Sequence, residues 1–172
     1  MRKGGRKAEL HMERVYNFSA GPSTIAEDVL KKAQESLLSY GNSGMSIMEM
    51  SHRSADFEAV RAGAEAALRK LMNVPDNYKV LFMHGGATAQ FAAVPLNLMT
   101  KNGKADYVLS GQFSKKASTE ASKYGDVAIA ASSAGANFSF VPATTRDSFR
   151  PDADYVHICF NNTIFGTKFP YI

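Results

Sequence analysis

The chain has 172 residues, 45% hydrophobic and 21% charged, which is enough for one domain with an apolar core and too apolar for a disordered chain. Its formal charge of +4 is concentrated near the start, where Arg2, Lys3, Arg6 and Lys7 stand against Glu9. The remainder carries about +1 and no cluster of basic and aromatic residues, so nucleic acid is not an expected partner. No stretch approaches the roughly 18 uninterrupted apolar residues of a membrane span, so no membrane partner is expected either. The single cysteine, Cys159, cannot form an internal disulfide, and a cytoplasmic location is expected. Its ordinary role would be that of a small buried hydrophobe.

Residues 1–12, "MRKGGRKAELHM", read as a leader of the kind left by cloning, and residues 13–172 as the folded part. After Gly21-Pro22, Thr24 and Glu27 have capping-box spacing, and Ile25, Val29, Ala33 and Leu37 predict a helix up to Tyr40, stopped by Gly41. The loop "GNSGMSIMEMSHRS" then leads to a second amphipathic helix with Phe57, Val60, Ala64, Leu68 and Leu71 on one face. Both helices have the look of covers for a sheet.

Beyond Asp76-Asn77 the pattern alternates between strands and helices, as in a mostly parallel α/β sheet. Strands are predicted over residues 79–83, 105–109, 127–131 and 155–160, with helices over 90–98 and 114–124. The segment between the last two strands reads as connection, with a short strand around 138–141. No repeat or long linker divides the chain. The closing run "HICFNNTIFGTKFPYI" leads into a further strand-like stretch, so the chain is expected to be the front part of something longer.

Chemistry is concentrated in the turns. "HGGATAQ" follows a predicted strand and opens a helix, a place where backbone N–H groups and the helix dipole converge on one point. It is neither a Walker loop nor a dinucleotide fingerprint, and two readings stay open: a phosphate cradle, or a tight turn that packs helix on strand. In "MEMSHRS", His52 and Arg53 suit an anionic group, or else form an ordinary solvated loop pair. Phe113 after a strand can cover a planar ligand or belong to the core. Thr163 in "FNNTIFG" can offer its hydroxyl to a ligand or simply shape a turn. His84 and His157 lack companions at metal-ligand spacing, and no metal site is expected.

Taken together, "NFSAGPSTI", "SIMEMSHRS", "NVPDNYKVLFMHGGATAQFAAVPLNL", "ADYVLSGQFSKKASTEASKYG" and "NNTIFG" resemble, in order and spacing, the phosphoserine aminotransferases of the class V aminotransferase group, from about Val15 to Ile172. The resemblance implies a three-layer α/β/α fold with a mostly parallel sheet, part of the large domain of the aspartate aminotransferase superfamily. It implies pyridoxal 5′-phosphate as cofactor, L-glutamate and 3-phosphohydroxypyruvate as substrates, phosphoserine synthesis as function with a further use in pyridoxal phosphate synthesis, and a homodimer. Residue by residue, it implies that the N–H groups of Ala87 and Thr88 hold the cofactor phosphate. Phe113 then stands where the family usually stacks a tryptophan, and Thr163 bonds the ring hydroxyl region. Arg53, with His52, receives the acidic group of the substrate.

Two departures accompany the match. This sequence has no tryptophan, and Thr88-Ala89 replace an arginine that some members carry in the glycine loop. The resemblance also implies that the Schiff-base lysine and the acidic partner of the ring nitrogen lie outside the stretch matched here. Lys115, Lys116 and Lys168 do not stand in that lysine's context. No catalytic residue is therefore assigned, and the 172-residue chain alone is expected to be inactive. The alternatives are a serine–glyoxylate or cysteine-desulfurase-like relative on the same fold, and a non-catalytic interaction fragment.

Overall fold

The computed structural model describes residues 14–170, so the proposed leader falls outside the described residues. The chain divides into two compact units, one running through Arg61 and the other beginning at Ala62.

In the first unit, helix α1 covers Glu27–Ser36. The capping box expected of Thr24 does not form: Ala26 is the N-cap, and the Thr24 hydroxyl donates instead to the Asn17 carbonyl at 2.8 Å. Thr24 is committed to the preceding extended segment, which leaves the first turn to the acidic Glu27 and Asp28. The helix also ends before the expected Tyr40, because residues 37–45 form tight turns with Gly41 and Gly44 at positive φ and the Tyr40 N–H bonded to the Met45 carbonyl at 2.8 Å. Ser54 starts helix α2, Ala55–Met72, its hydroxyl accepting from the Phe57 N–H at 3.3 Å. Neither α1 nor α2 contains a fully buried residue.

The second unit is the α/β part. Helix α3 spans Gly86–Leu98, strand β1 Lys104–Leu109, helix α4 Gln112–Ala121, strand β2 Asp126–Ser132 and strand β3 Tyr155–His157. The three strands form a parallel sheet in the order β2-β1-β3. A register shift after Tyr107 admits one extra residue on the β2 side. As the central strand, β1 is buried along Ala105–Val108, which explains its near-continuous apolar reading. The core gathers Met99, Ala105, Tyr107, Ala117 and Ala121, with Phe91 of α3 and Tyr155 of β3 packed against it.

The one charge inside β1, Asp106, is buried and answered by Arg150. The Arg150 backbone N–H and Nε both donate to its carboxylate at 2.6 Å, and Nη1 reaches Asp126 at 2.6 Å. Nη2 closes the clamp on the carbonyls of Ala105 and Asp126. A second carboxylate, Asp154, accepts the N–H groups of Lys101, Asn102 and Gly103, fastening the loop before β1 to the start of β3. Those N–H groups hold its carboxyl below the usual range against the opposing effect of burial.

Three strand expectations are corrected. Residues 79–83 form no strand, and Leu81, Phe82 and Met83 are exposed; apolar character alone does not make a strand without a neighbour to pair with. Residues 138–141 are not a strand, because Asn137 and Phe138 both take positive φ and turn the chain. The strand expected over 155–160 stops at His157, and a hairpin follows, made of β4, Asn161–Asn162, and β5, Thr167–Lys168, paired antiparallel.

Candidate functional site

In a parallel sheet the strand C-termini and the helix N-termini that follow them face the same edge, where ligands bind. Two turns of the second unit belong to that kind of position, the β1–α4 turn and the hairpin after β3, and the start of α3 is a further glycine-bearing helix N-terminus in the same unit.

Gly85 is the N-cap of α3 at φ +96°, and Gly86 follows at φ +57°. A side chain at Gly85 would be strained by its backbone and would bring a Cβ to 2.6 Å from that of Ala89. The first helical bond runs from the Ala89 N–H to the Gly85 carbonyl at 3.2 Å. The N–H groups of Gly86, Ala87 and Thr88 precede it and have no acceptor within the helix. No side chain caps them, and the space beside Gly86 is open. The helix thus starts four residues earlier than its apolar period suggested, and the extra turn is the one whose donors are free.

Helix α4 begins differently. The Ser114 hydroxyl accepts from the N–H groups of Ser110 and Gly111 at 3.0 and 3.1 Å and donates to the Gly111 carbonyl at 2.8 Å. This fixes the turn that carries Phe113, a residue 38% exposed whose ring has Lys116 Nζ 5.7 Å from its centroid. A cavity of about 440 Å³ runs along α3 and α4, lined by Thr88 and Phe91 of the one and by Gln112, Lys115, Lys116, Thr119 and Glu120 of the other. A smaller cavity of about 180 Å³, which shares Phe91 with the first, is lined by Ala87, Gln90, Val94, Tyr107, Ala117 and His157 as well.

His157 closes β3 and stacks on Tyr107 with ring centroids 4.7 Å apart. Its Nδ1 is buried without a hydrogen-bond partner, and burial pushes the imidazole below its ordinary value. The Tyr107 and Tyr155 hydroxyls lie 2.8 Å apart; burial, then that contact, raises Tyr107 far above the ordinary phenol value. Both rings therefore stay neutral at physiological pH. Cys159 is half-buried and raised by desolvation, so it is not a reactive thiol.

Thr163 sits exposed in the hairpin turn, directly after the buried Asn162. Asn162 donates from Nδ2 to Ser110 Oγ at 3.2 Å, which ties the Thr163 turn to the Phe113 turn. The second unit therefore holds Ala87 and Thr88 in the first turn of α3, Phe113 at the start of α4 after β1 and Thr163 in the hairpin after β3. His52 and Arg53 belong to the first unit, exposed in the turn before α2, where the Arg53 N–H donates to Ser51 Oγ at 3.2 Å.

Sequence reasoning missed Ser110, Ser114 and Asn162. The only signal was a serine three residues past Gly111, the spacing of a reaching-back cap. Among the described residues, no group of three His, Cys, Asp or Glu side chains is placed to hold a metal, and no helix is long and apolar enough to cross a membrane.

The donor set fits a phosphate-bearing planar cofactor. Unpaired N–H groups at a dipole's positive end suit the phosphate, and an aromatic ring on the next turn suits a flat heterocycle. Fold and site together define an α/β protein with a parallel sheet and a glycine-opened helix whose first-turn donors have no acceptor within the helix.

The chain belongs to the class-V aminotransferase family, whose model matches residues 15–171. It is 52% identical over 160 residues to a phosphoserine aminotransferase of Nitrosomonas europaea, covering 93% of this chain and 44% of the relative. A phosphoserine aminotransferase of Ralstonia nicotianae is 49% identical over 173 residues, covering 98% of this chain and 46% of the relative. Among solved structures, the phosphoserine aminotransferase of Bacillus circulans subsp. alkalophilus superposes with a TM-score of 0.83 at 42% identity, covering 93% of this chain and 44% of that one. A pyridoxal-phosphate-bound phosphoserine aminotransferase of Trichomonas vaginalis gives 0.83 at 36% identity, covering 92% and 45%. The α/β class expected from the sequence holds. The chain spans a little under half the length of these relatives.

Proposed function

We propose that the chain forms the cofactor-phosphate part of a phosphoserine aminotransferase, which transfers an amino group between L-glutamate and 3-phosphohydroxypyruvate. The observation that carries this reading is the run of unpaired N–H groups at Gly86, Ala87 and Thr88, on a fold similar to those aminotransferases. When bound, pyridoxal 5′-phosphate supplies a ring that withdraws electrons from the carbon exchanging its amino group. The chain's own part is to bind and orient. Gly86, Ala87 and Thr88 donate to the phosphate, Phe113 covers the ring, and Thr163 offers its hydroxyl to the ring's oxygen substituent. Arg53, assisted by His52, receives the substrate's acidic group through its planar fork. The same reading makes the protein a cytoplasmic homodimer.

The test uses protein expressed from the complete reading frame that encodes these residues. With L-glutamate as donor, 3-phosphohydroxypyruvate is expected to be consumed with formation of 2-oxoglutarate. Equal or better use of glyoxylate as acceptor would overturn the assignment in favour of a serine–glyoxylate relative. Arg53→Ala is expected to raise KM for the phosphorylated acceptor about 10-fold or more, since one charge-assisted pair contributes about 1.5–3 kcal/mol.

A further inference from the structure

Asn162 is 2% exposed at the end of β4 and immediately precedes Thr163. Its Nδ2 donates to Ser110 Oγ and to Thr167 Oγ1, both at 3.2 Å. The Ser110 hydroxyl in turn reaches the Cys159 carbonyl at 3.5 Å. One amide thus joins the end of β1, the strand after it in the hairpin, and the turn that starts α4. Its Oδ1 is buried with no hydrogen-bond partner and lies against Gly111, where a Cβ would overlap it and sit 2.9 Å from Cγ. The far side of the hairpin is held separately. Phe165 packs on Phe138 with centroids 5.0 Å apart, and Phe138 takes φ +55°, an uncommon conformation for a bulky residue, with its N–H bonded to the Ser133 carbonyl at 3.0 Å.

We propose that Asn162 is a positioning residue of the cofactor site: it locks the Ser110–Gly111 turn, which presents Phe113, to the hairpin that carries Thr163, so that ring cover and hydroxyl act as one unit. The proposal rests on the cofactor reading of Phe113 and Thr163 given above. Packing alone does not call for an amide here, since an apolar side chain of similar size would leave no buried acceptor without a donor. What the amide adds is a cross-link between two turns that belong to different strand ends.

The test is a double-mutant cycle on affinity for pyridoxamine 5′-phosphate, measured by calorimetry with protein expressed from the complete reading frame that encodes these residues; this amine form of the cofactor cannot condense with a lysine. Thr163→Ala is expected to weaken binding about fivefold in the unaltered chain and less than about twofold when Asn162 is already alanine. A purely structural Asn162 predicts the same factor in both backgrounds, and that result would overturn the proposal while leaving the cofactor reading standing. Absence of saturable binding by the unaltered chain would overturn the cofactor reading itself. Melting curves accompany each variant. If Asn162→Ala fails to fold, Asn162→Ser, which keeps a short polar side chain, serves in its place with the same expected factors.

Discussion

Replacing Gly111 by alanine puts the turn before α4 under a load that can be read directly from its surroundings. The backbone is not the obstacle, since Gly111 has φ 176°, an extended conformation any residue adopts. The obstacle is Asn162: the new Cβ overlaps Oδ1, lies 2.9 Å from Cγ and 3.3 Å from Cβ. All of these atoms belong to one side chain, and that side chain is fixed by its bonds to Ser110 and Thr167. Overpacking of a buried site costs about 1–3 kcal/mol, and moving the amide forfeits at least one buried hydrogen bond at about 1 kcal/mol. Gly111→Ala is therefore expected to destabilise the fold by about 2–4 kcal/mol. With Asn162→Ala already in place only the 3.3 Å approach remains, and the loss of unfolded-chain entropy favours alanine by about 0.4–1 kcal/mol. In that background the same substitution should be close to neutral. Urea unfolding of the four proteins, followed by far-ultraviolet circular dichroism, gives the coupling energy, expected to be about 2 kcal/mol or more. Additive costs within about 0.5 kcal/mol would show that Gly111 and Asn162 do not meet as described.

Arg150→Met should leave Asp106 buried without its guanidinium, at a cost of about 3 kcal/mol or more in urea unfolding. Adding Asp106→Asn should recover part of that loss, whereas Asp126→Asn alone, on an exposed carboxylate, should change little. His157 has a value lowered by burial, so the unfolded chain takes up its proton first as pH falls. Its contribution is fully present above the ordinary value of 6.5 and is lost as pH drops from there towards the folded value. Unfolding midpoints compared at about pH 7.5 and 5.5 should show a slope that His157→Phe reduces, and an unchanged slope would refute the assignment. Phe113→Trp is expected to tighten pyridoxamine 5′-phosphate binding about threefold through the larger ring face, read by the same calorimetry. Gly85→Ala, strained at φ +96° and crowded by Ala89, should abolish that binding and lower the melting temperature.

The elements that sequence patterning placed well are those whose partners lie nearby in the chain. Residues 104–109 and 126–132 alternate with helices of clear period, and each predicted strand fell within two residues of its observed bounds. Residues 79–83 carry as strong a strand pattern but stay unpaired, because pairing is decided by a neighbour that composition cannot reveal. Thr24 shows a related limit: capping-box spacing was present, yet the Asn17 carbonyl captured the hydroxyl first. Of the proposed site, Ala87, Thr88, Phe113 and Thr163 stand out in the sequence because they lie in or beside glycine-bearing or short polar segments. Asn162 was not, since one of two adjacent asparagines looks like turn chemistry until burial separates them: Asn161 is exposed and Asn162 is enclosed.

The starts of α3 and α4 differ in how their donors are satisfied. At α4, Ser114 takes up the N–H groups of Ser110 and Gly111, making a rigid turn with little left to offer an anion through those two groups. At α3 the helix start is left without a side-chain cap, because glycine at 85 has no side chain to reach forward and Thr88 does not reach back. A serine at position 85 would satisfy the spacing rule for an N-cap and fail on both counts that matter here, since φ +96° excludes its backbone and its hydroxyl would compete for the free donors. The glycine pair thus opens a helix whose first-turn donors face no internal acceptor. On the proposed reading, the cofactor phosphate takes the place an N-cap would otherwise have filled.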